Sequence, residues 1–498
     1  LASPLQSLTS GRLLARNTIW NFIGLAAPLF VGLVAMPLLI QGMGKERFGM
    51  LTIIWMGVGY FSLFDMGLGR ALTKLVAERL GNGRSQELGE LIWTALWLIT
   101  GLGVFGALIL LSFTGPLIYY VLNVPPELQQ EAIAAFRILA GGIPFVILSS
   151  ALVGLLAAHQ RFGMITLIRI PLGILTFMGP LATVQFSPSL VWATLAMLFA
   201  RIIACCVYFF IAASLRKELA RPQWPHKPHV KPLFFFGGWL TLSNIIGPFM
   251  VYFDRFLLGS VLTMTAVTYY VTPYEVLSRM QRLPMAVVGV LFPAMSSAYA
   301  ADRPRLVYLY ERTSRVLVIL MLPVMSFCFL FAPEVLEIWL GPQFRNESTI
   351  VVQWLAVGWI VNIMAQAPFT VLQSSGRPDL VAKAHTVELL PYMLLLWFMT
   401  NHFGIAGTAA AWVIRVLLDT ILLNELARQT IPELGGVIKR TYIELAGVIM
   451  GAVMFAGITS VAMRIMVFFV LTVLVMVPAL WYGKRLLKSP STKTEIHL

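Results

Sequence analysis

Apolar residues fill this chain in runs of about twenty or more, and short stretches that gather cations, prolines and glycines divide the runs. About twenty apolar residues is the length at which an α-helix crosses the hydrocarbon of a bilayer. The pattern predicts fourteen such helices, over residues 17–40, 47–72, 89–112, 131–157, 164–185, 189–214, 233–258, 266–298, 307–330, 348–373, 380–400, 404–427, 441–462 and 465–483. The fold class is therefore an all-α polytopic membrane protein.

Charge supports that reading and gives it an orientation. Only 12% of the 498 residues are charged and 58% are hydrophobic, about half the charge usual for a soluble domain. A net charge of +14 would point to nucleic acid in a soluble protein, but here the cations crowd into alternate loops. The segments 1–16, 70–90, 158–170, 215–232, 299–315, 374–384, 424–441 and 483–498 hold 26 of the 36 Lys and Arg residues, and the opposite loops hold Lys45, Arg47, Arg345 and Arg464. The positive-inside rule then predicts that both termini are cytoplasmic. Leu1–Arg16 has no long apolar core and is not expected to be a signal peptide. Cys205, Cys206 and Cys328 lie in apolar runs, where free thiols are expected.

Weak internal similarities recur at nearly one offset. Arg161 and Arg377 follow the fourth and tenth spans, Arg84 and Arg303 the second and eighth, and Ile23-Gly24 and Ile246-Gly247 sit in the first and seventh. The expected organisation is two parallel six-helix bundles, 1–214 and 233–428, around a central cavity and joined by a cytoplasmic linker, 215–232. Residues 429–498 add two transmembrane helices and a cytoplasmic tail. Parallel repeats of this kind place substrate at the repeat interface. Residues 216–232 read RKELARPQWPHKPHVKP, too rich in proline for a regular helix throughout. His226 and His229 have no acid or cysteine near them in sequence and read as loop residues, so no metal site is expected.

Six arginines remain inside the spans: Arg137, Arg201, Arg255, Arg279, Arg282 and Arg415. A charge at bilayer depth costs a few kcal/mol or more unless it faces protein or a watery cavity. The stretch from Gly247 to Pro293 concentrates the problem, with Asp254, Arg255, Glu275, Arg279 and Arg282. Glu275 and Arg279 are i,i+4 on one face, and Arg282 extends that face by a turn if the helix is continuous. One acid does not neutralise two guanidiniums, so excess positive charge is expected to seek an anion, and Arg grips phosphate oxygens bidentately. The competing reading makes Glu275–Arg279 a pair that locks helix packing. Elsewhere Asp65 and Arg70 end the second span, Arg415 and Asp419 are i,i+4, and Glu388, Arg201 and Arg137 have no local partner.

Other signals exclude chemistry. Gly101-Leu-Gly103-Val-Phe-Gly106 matches a dinucleotide fingerprint, but it sits mid-span with no strand before it, which suits close helix packing instead. No Walker A, HExxH or GxSxG motif occurs. The outer loops are too short for a sizeable catalytic surface. No enzyme activity, catalytic residue or cofactor is expected.

Several stretches carry a family likeness: Asn17-Thr-Ile-Trp-Asn21, Gly44-Lys-Glu-Arg-Phe-Gly49, Phe64-Asp-Met-Gly-Leu-Gly-Arg70 running on to Glu78, His159-Gln-Arg-Phe162, Tyr252-Phe-Asp-Arg-Phe-Leu-Leu-Gly259 and Tyr270-Val-Thr-Pro-Tyr-Glu275. In these the chain resembles the oligosaccharide or O-antigen (Wzx-like) flippases of the multidrug/oligosaccharidyl-lipid/polysaccharide exporter superfamily. The resemblance implies transfer of an undecaprenyl-pyrophosphate-linked oligosaccharide from the cytoplasmic to the periplasmic leaflet of the bacterial inner membrane, by alternating access, for surface polysaccharide synthesis. It implies a headgroup-binding role for Arg279, Arg282, Arg201, Arg137 and Arg415, and coupling to a proton or sodium gradient. Asp65, Arg70, Asp254, Arg255, Glu275, Glu388 and Asp419 are the candidates for gating and pairing. Asn17, Asn21, Asn244, Gln353, Asn362 and Gln366 are candidate sugar contacts or packing residues. Membrane lipids and polysaccharide polymerase or assembly proteins are the expected partners. Alternatives are a lipid-linked peptidoglycan precursor flippase, a cation-coupled multidrug exporter, a membrane polysaccharide polymerase and an assembly scaffold.

Overall fold

A computed structural model describes residues 28, 30–61, 68–81, 88–159, 161–215 and 217–488; all regular structure among them is helical. Hydrocarbon offers no water to backbone polar groups, and a helix satisfies them internally. Cys205, Cys206 and Cys328 are free thiols.

In chain order the helices are α1 (Phe30–Met43), α2 (Lys45–Phe61), α3 (Leu68–Gly81), α4 (Leu88–Pro116, continued by a π-turn to Val121), α5 (Pro126–Ala158), α6 (Phe162–Val184), α7 (Leu190–Leu215), α8 (Lys227–Val261), α9 (Met264–Met280), α10 (Arg282–Ala301), α11 (Arg303–Leu330), α12 (Ala332–Leu340), α13 (Pro342–Met364), α14 (Gln366–Ser374), α15 (Pro378–Thr430), α16 (Gly435–Ala456) and α17 (Val461–Lys488). Among the described residues, seven helical stretches are long and apolar enough to cross a membrane, and two shorter apolar helices accompany them.

Two compact units form. The first holds the chain up to Val276 together with Leu396–Thr408; the second holds Leu277–Leu395 and the chain from Ala409. Lipid tails are as apolar as leucine, so helices associate here by close packing and interhelical hydrogen bonds. In the first unit α3, α4, α5 and α7 meet over Leu72, Ile92, Ile147, Leu152 and Tyr208, all buried. A Cβ on Gly103 would lie 2.7 Å from Cα of Pro144, so this glycine sets the approach of α4 to α5. That is the packing role expected for the glycine motif. In the second unit α10, α11, α14 and α15 surround Met295, Leu306, Tyr310, Val371 and Leu423. Tyr310 donates its hydroxyl to Oδ1 of Asn424 at 2.8 Å.

Two breaks correct the expected spans. The stretch 266–298 is not one helix: α9 ends at Met280 and α10 starts at Arg282. Pro284 explains the break, because it has no N–H to return to the carbonyl of Met280 and its ring crowds that carbonyl. Arg282 thus opens a new helix. Pro368 acts likewise on Met364, where α13 gives way to α14. The 53 residues of α15 turn at Gly404, whose φ of 58° and ψ of −141° are non-helical. The turn closes tightly: Thr400 and Thr408 share a hydrogen bond of 2.9 Å. Its two arms correspond to the spans expected at 380–400 and 404–427.

Charged side chains inside the helical units

In the first unit, consecutive residues near the end of α8 are both buried: Asp254 at 1% exposure and Arg255 at 3%. Arg255 Nη2 donates to Glu275 Oε1 at 2.8 Å. Its guanidinium also lies 5.3 Å from the Tyr252 ring and 5.0 Å from the Tyr274 ring. Asp254 accepts from its neighbour's backbone N–H at 2.7 Å and from the Tyr270 hydroxyl at 2.8 Å. Charge-assisted bonds and cation–π contacts of this kind compensate buried ions. The arrangement is a packed ion network that ties α8 to α9. Periodicity on α9 singled out Arg279 as the partner of Glu275. The partner from α8 was missed because its pairing depends on how two helices dock, which periodicity within one helix does not reveal.

Arg201 stands in different surroundings. It lies near the middle of α7 beside a small recess lined by Ile54, Val58, Ile138, Val146 and Met197. Among the described residues it has no hydrogen-bond or ion-pair partner. Arg137, on α5, is exposed at the protein surface and likewise has no such partner among the described residues.

In the second unit, the two arms of α15 bring four titratable or charged groups together. Arg415 Nε lies 3.7 Å from Glu388 Oε2, and His385 Nε2 lies 3.4 Å from Asp419 Oδ1. Arg415 and Glu388 are nearly buried, Asp419 more so. The Arg415 guanidinium is also 5.6 Å from the Tyr392 ring. Arg415 and Asp419, expected as an i,i+4 pair, each find a partner on the opposite arm. Glu388 thereby gains the partner that local sequence did not offer. His385 belongs to this cluster and was not singled out; its i,i+3 spacing from Glu388 was the available signal.

Arg279 is half-buried in the last turn of α9 and belongs to the second unit, whereas Glu275 belongs to the first. The side chains of Arg70, Asn244 and Arg282 lie outside the described residues, as do Asp65, Asn17 and Asn21 altogether. Gln281, at the α9–α10 break, donates to Asn362 Oδ1 on α13 at 2.7 Å. Gln366 reaches the carbonyl of Asn362 and Gln353 that of Phe329, each at 3.5 Å. These amides join helices to one another.

The linker docks on α4. Trp93 and Trp97 of α4 donate their indole N–H groups to the carbonyls of Glu218 and Gln223 at 3.3 and 3.1 Å. Trp97 stacks on Trp224 with ring centres 6.0 Å apart, and His226 N–H donates to Thr94 Oγ1 at 2.9 Å.

The family model of a polysaccharide biosynthesis protein matches residues 43–349. A Shigella flexneri protein assigned as an O-antigen transporter is 32% identical over 409 residues, which is 82% of this chain and 96% of that one. Among solved structures, an inward-facing MATE-family multidrug resistance transporter of the MOP superfamily superposes with a TM-score of 0.69 at 16% identity, over 83% of this chain and 98% of its own. The lipid II flippase MurJ in an inward closed conformation gives 0.69 at 13% identity, over 94% and 99%. At such identities the likeness to the solved structures speaks for the fold alone.

Proposed function

Because this chain belongs to the polysaccharide biosynthesis family of membrane proteins, we propose that it is a flippase for a lipid-linked oligosaccharide. Its cargo is a sugar unit on undecaprenyl pyrophosphate, moved from the cytoplasmic to the periplasmic leaflet of the bacterial inner membrane by alternating access. Both termini lie in the cytoplasm, on the side where the linker and tail concentrate Lys and Arg. No catalytic residue takes part; transfer of the headgroup between leaflets breaks no bond.

The observation that carries this reading is Arg201, a guanidinium among apolar side chains with no counter-ion among the described residues. Moving a pyrophosphate through hydrocarbon requires a fixed cation to replace its hydration, and a planar guanidinium grips two phosphate oxygens at once. A cationic drug would be repelled by the same group, which favours an anionic cargo over the multidrug alternative. Arg279, Arg282 and Arg137 are assigned the same anion-attracting role on their respective helices. Arg415, matched by two acids, is assigned to coupling instead, with Glu388, Asp419 and His385. With a neutral imidazole the quartet carries two carboxylates against one guanidinium, so uptake of one proton neutralises it. Asp254, Arg255 and Glu275 brace the first unit, and Asp65 and Arg70 remain gating candidates.

The test is complementation of a strain that lacks the gene. Surface polysaccharide should return with the wild-type protein and fail to return with Arg201→Ala at equal membrane abundance. Lipid-linked oligosaccharide should then accumulate on the cytoplasmic leaflet. Full export by Arg201→Ala would remove the anion-binding claim. Rescue of a peptidoglycan-precursor flippase deletion, without rescue of polysaccharide, would select that alternative cargo.

A further inference from the structure

We propose that Glu90, His226 and His229 form a binding site for one divalent transition-metal ion of the zinc class, which fastens the start of α8 to α4. Glu90 Oε2 lies 3.1 Å from His226 Nδ1 and 3.6 Å from His229 Nε2. All three donor atoms fall within 4.8 Å of one another. Zinc holds nitrogen and carboxylate oxygen at about 2.0–2.2 Å in a tetrahedron. That geometry spaces its donors roughly 3.3–3.5 Å apart, and the two contacts to Glu90 bracket this spacing. Two imidazoles and one carboxylate leave a fourth position to water. Glu90 and His226 are about half exposed, and His229 is nearly buried, so the ion has an open approach from one side.

The donors are held before any ion arrives. Glu90, Trp93, Thr94 and Trp97 recur at helical spacing along one stripe of α4, and three of them grip the linker. Thr94 accepts the backbone N–H of His226, and Trp97 both bonds the carbonyl of Gln223 and stacks on Trp224. His226 is the residue before α8, and His229 sits in its first turn. Rigid donors lower the ordering cost of binding. Sequence spacing did not show the site because the carboxylate comes from a distant helix.

A neighbouring cation tunes it. Arg79 Nη2 lies 3.4 Å from His229 Nδ1, the ring nitrogen turned away from Glu90. A guanidinium donates only, so in that contact Nδ1 accepts and the imidazole proton sits on Nε2, facing Glu90. To ligate through Nε2, His229 must carry its proton on Nδ1 instead, and Arg79 must turn aside. Metal-binding histidines ordinarily give that second N–H to an acceptor. Glutamine at position 79 would supply one and remove a repelling charge.

Untagged, detergent-solubilised full-length protein is stripped with a chelator, equilibrated with zinc in competition with a chelator of known affinity, and analysed for bound metal. One zinc per chain is expected. Glu90→Gln should weaken binding by at least about tenfold, and the double change His226→Gln with His229→Gln should abolish it. His402→Gln, remote from the cluster in sequence, should leave it unchanged. Arg79→Gln should tighten binding about tenfold. Zinc should also slow tryptic cleavage of the linker after Lys217, which no proline follows, in the wild type and not in the double variant. Equal zinc in wild type and double variant, or no retained zinc in either, would overturn the site and leave a plain Glu–His pairing. Weaker binding by a folded Arg79→Gln would overturn the assignment of His229 Nε2 as a ligand.

Discussion

Replacing Arg201 with methionine should make the protein more stable and less active. The side chain carries a charge near the middle of α7, faces Ile54, Val58, Ile138, Val146 and Met197, and has no counter-ion among the described residues. Placing Arg at the centre of a membrane helix costs about 2.5–3.5 kcal/mol on insertion scales, and large apolar residues gain roughly 0.3–0.6 kcal/mol there. Methionine is close in length and fills irregular recesses. The full difference is about 3–4 kcal/mol. Arg201 is only half-buried, so water recovers part of this and a net gain of about 1–3 kcal/mol is expected. Thermal unfolding of purified wild type and Arg201→Met in the same detergent reads the first effect as a rise in apparent Tm. Surface polysaccharide in a deletion strain reads the second as loss of export at undiminished membrane abundance. Arg201→Lys should keep the charge and recover export in part, because an ammonium lacks the planar fork. A destabilised Arg201→Met would mean that the guanidinium supports the fold, and a stabilised variant with full export would mean that its charge serves no cargo.

The Arg255–Glu275 pair should behave in the opposite way: Arg255→Met or Glu275→Leu alone destabilises by about 3–5 kcal/mol because one member of a buried ion pair is removed, while Arg255→Met with Glu275→Leu recovers much of the lost membrane abundance. Additive losses in that double-mutant cycle would show that the 2.8 Å contact is not a coupled pair. Asp419→Asn should abolish the response of flipping to an imposed proton gradient in proteoliposomes while leaving headgroup binding intact; an unaltered gradient response would exclude Asp419, 3.4 Å from His385, from coupling. Gly404→Ala should cost about 1–3 kcal/mol, because a side chain at a φ of 58° with ψ of −141° is strained, and unfolding that matches wild type would contradict the tight turn in α15.

The all-helical architecture was legible because hydrocarbon imposes one length and one polarity on every crossing helix, and the chain repeats both. The breaks were partly legible. Pro284 and Pro368 stand four residues beyond the points where α9 and α13 end, yet Pro323 and Pro391 lie inside continuous helices. A proline therefore marks a permitted break, and packing decides whether the chain takes it. Side-chain pairing was the least legible layer. Reading i,i+4 along one helix joined Glu275 to Arg279 and Arg415 to Asp419. Docking of neighbouring helices gives Glu275 a partner in Arg255, Arg415 a partner in Glu388, and Asp419 a partner in His385.

These cross-helix partners bear on which arginines are proposed to serve transport. An ion with its counter-ion and aromatic faces in place has much of its desolvation already offset, and adding a phosphate would break what holds it. Arg255 is such an ion, with Glu275, Tyr252 and Tyr274 around it. An arginine without those compensations is costly in the resting protein and becomes less so when an anion arrives. Among the described residues Arg201 is of that second kind, and under the proposed function its cost at rest would be the reserve that an incoming headgroup releases on binding. The same reasoning separates Arg415 from Arg201, since Glu388 and Asp419 outnumber it and leave the cluster suited to a proton rather than a phosphate. Stability and export should therefore respond with opposite signs at Arg201 and fall together at Arg255, a contrast that a transporter indifferent to the charge of its cargo has no reason to show.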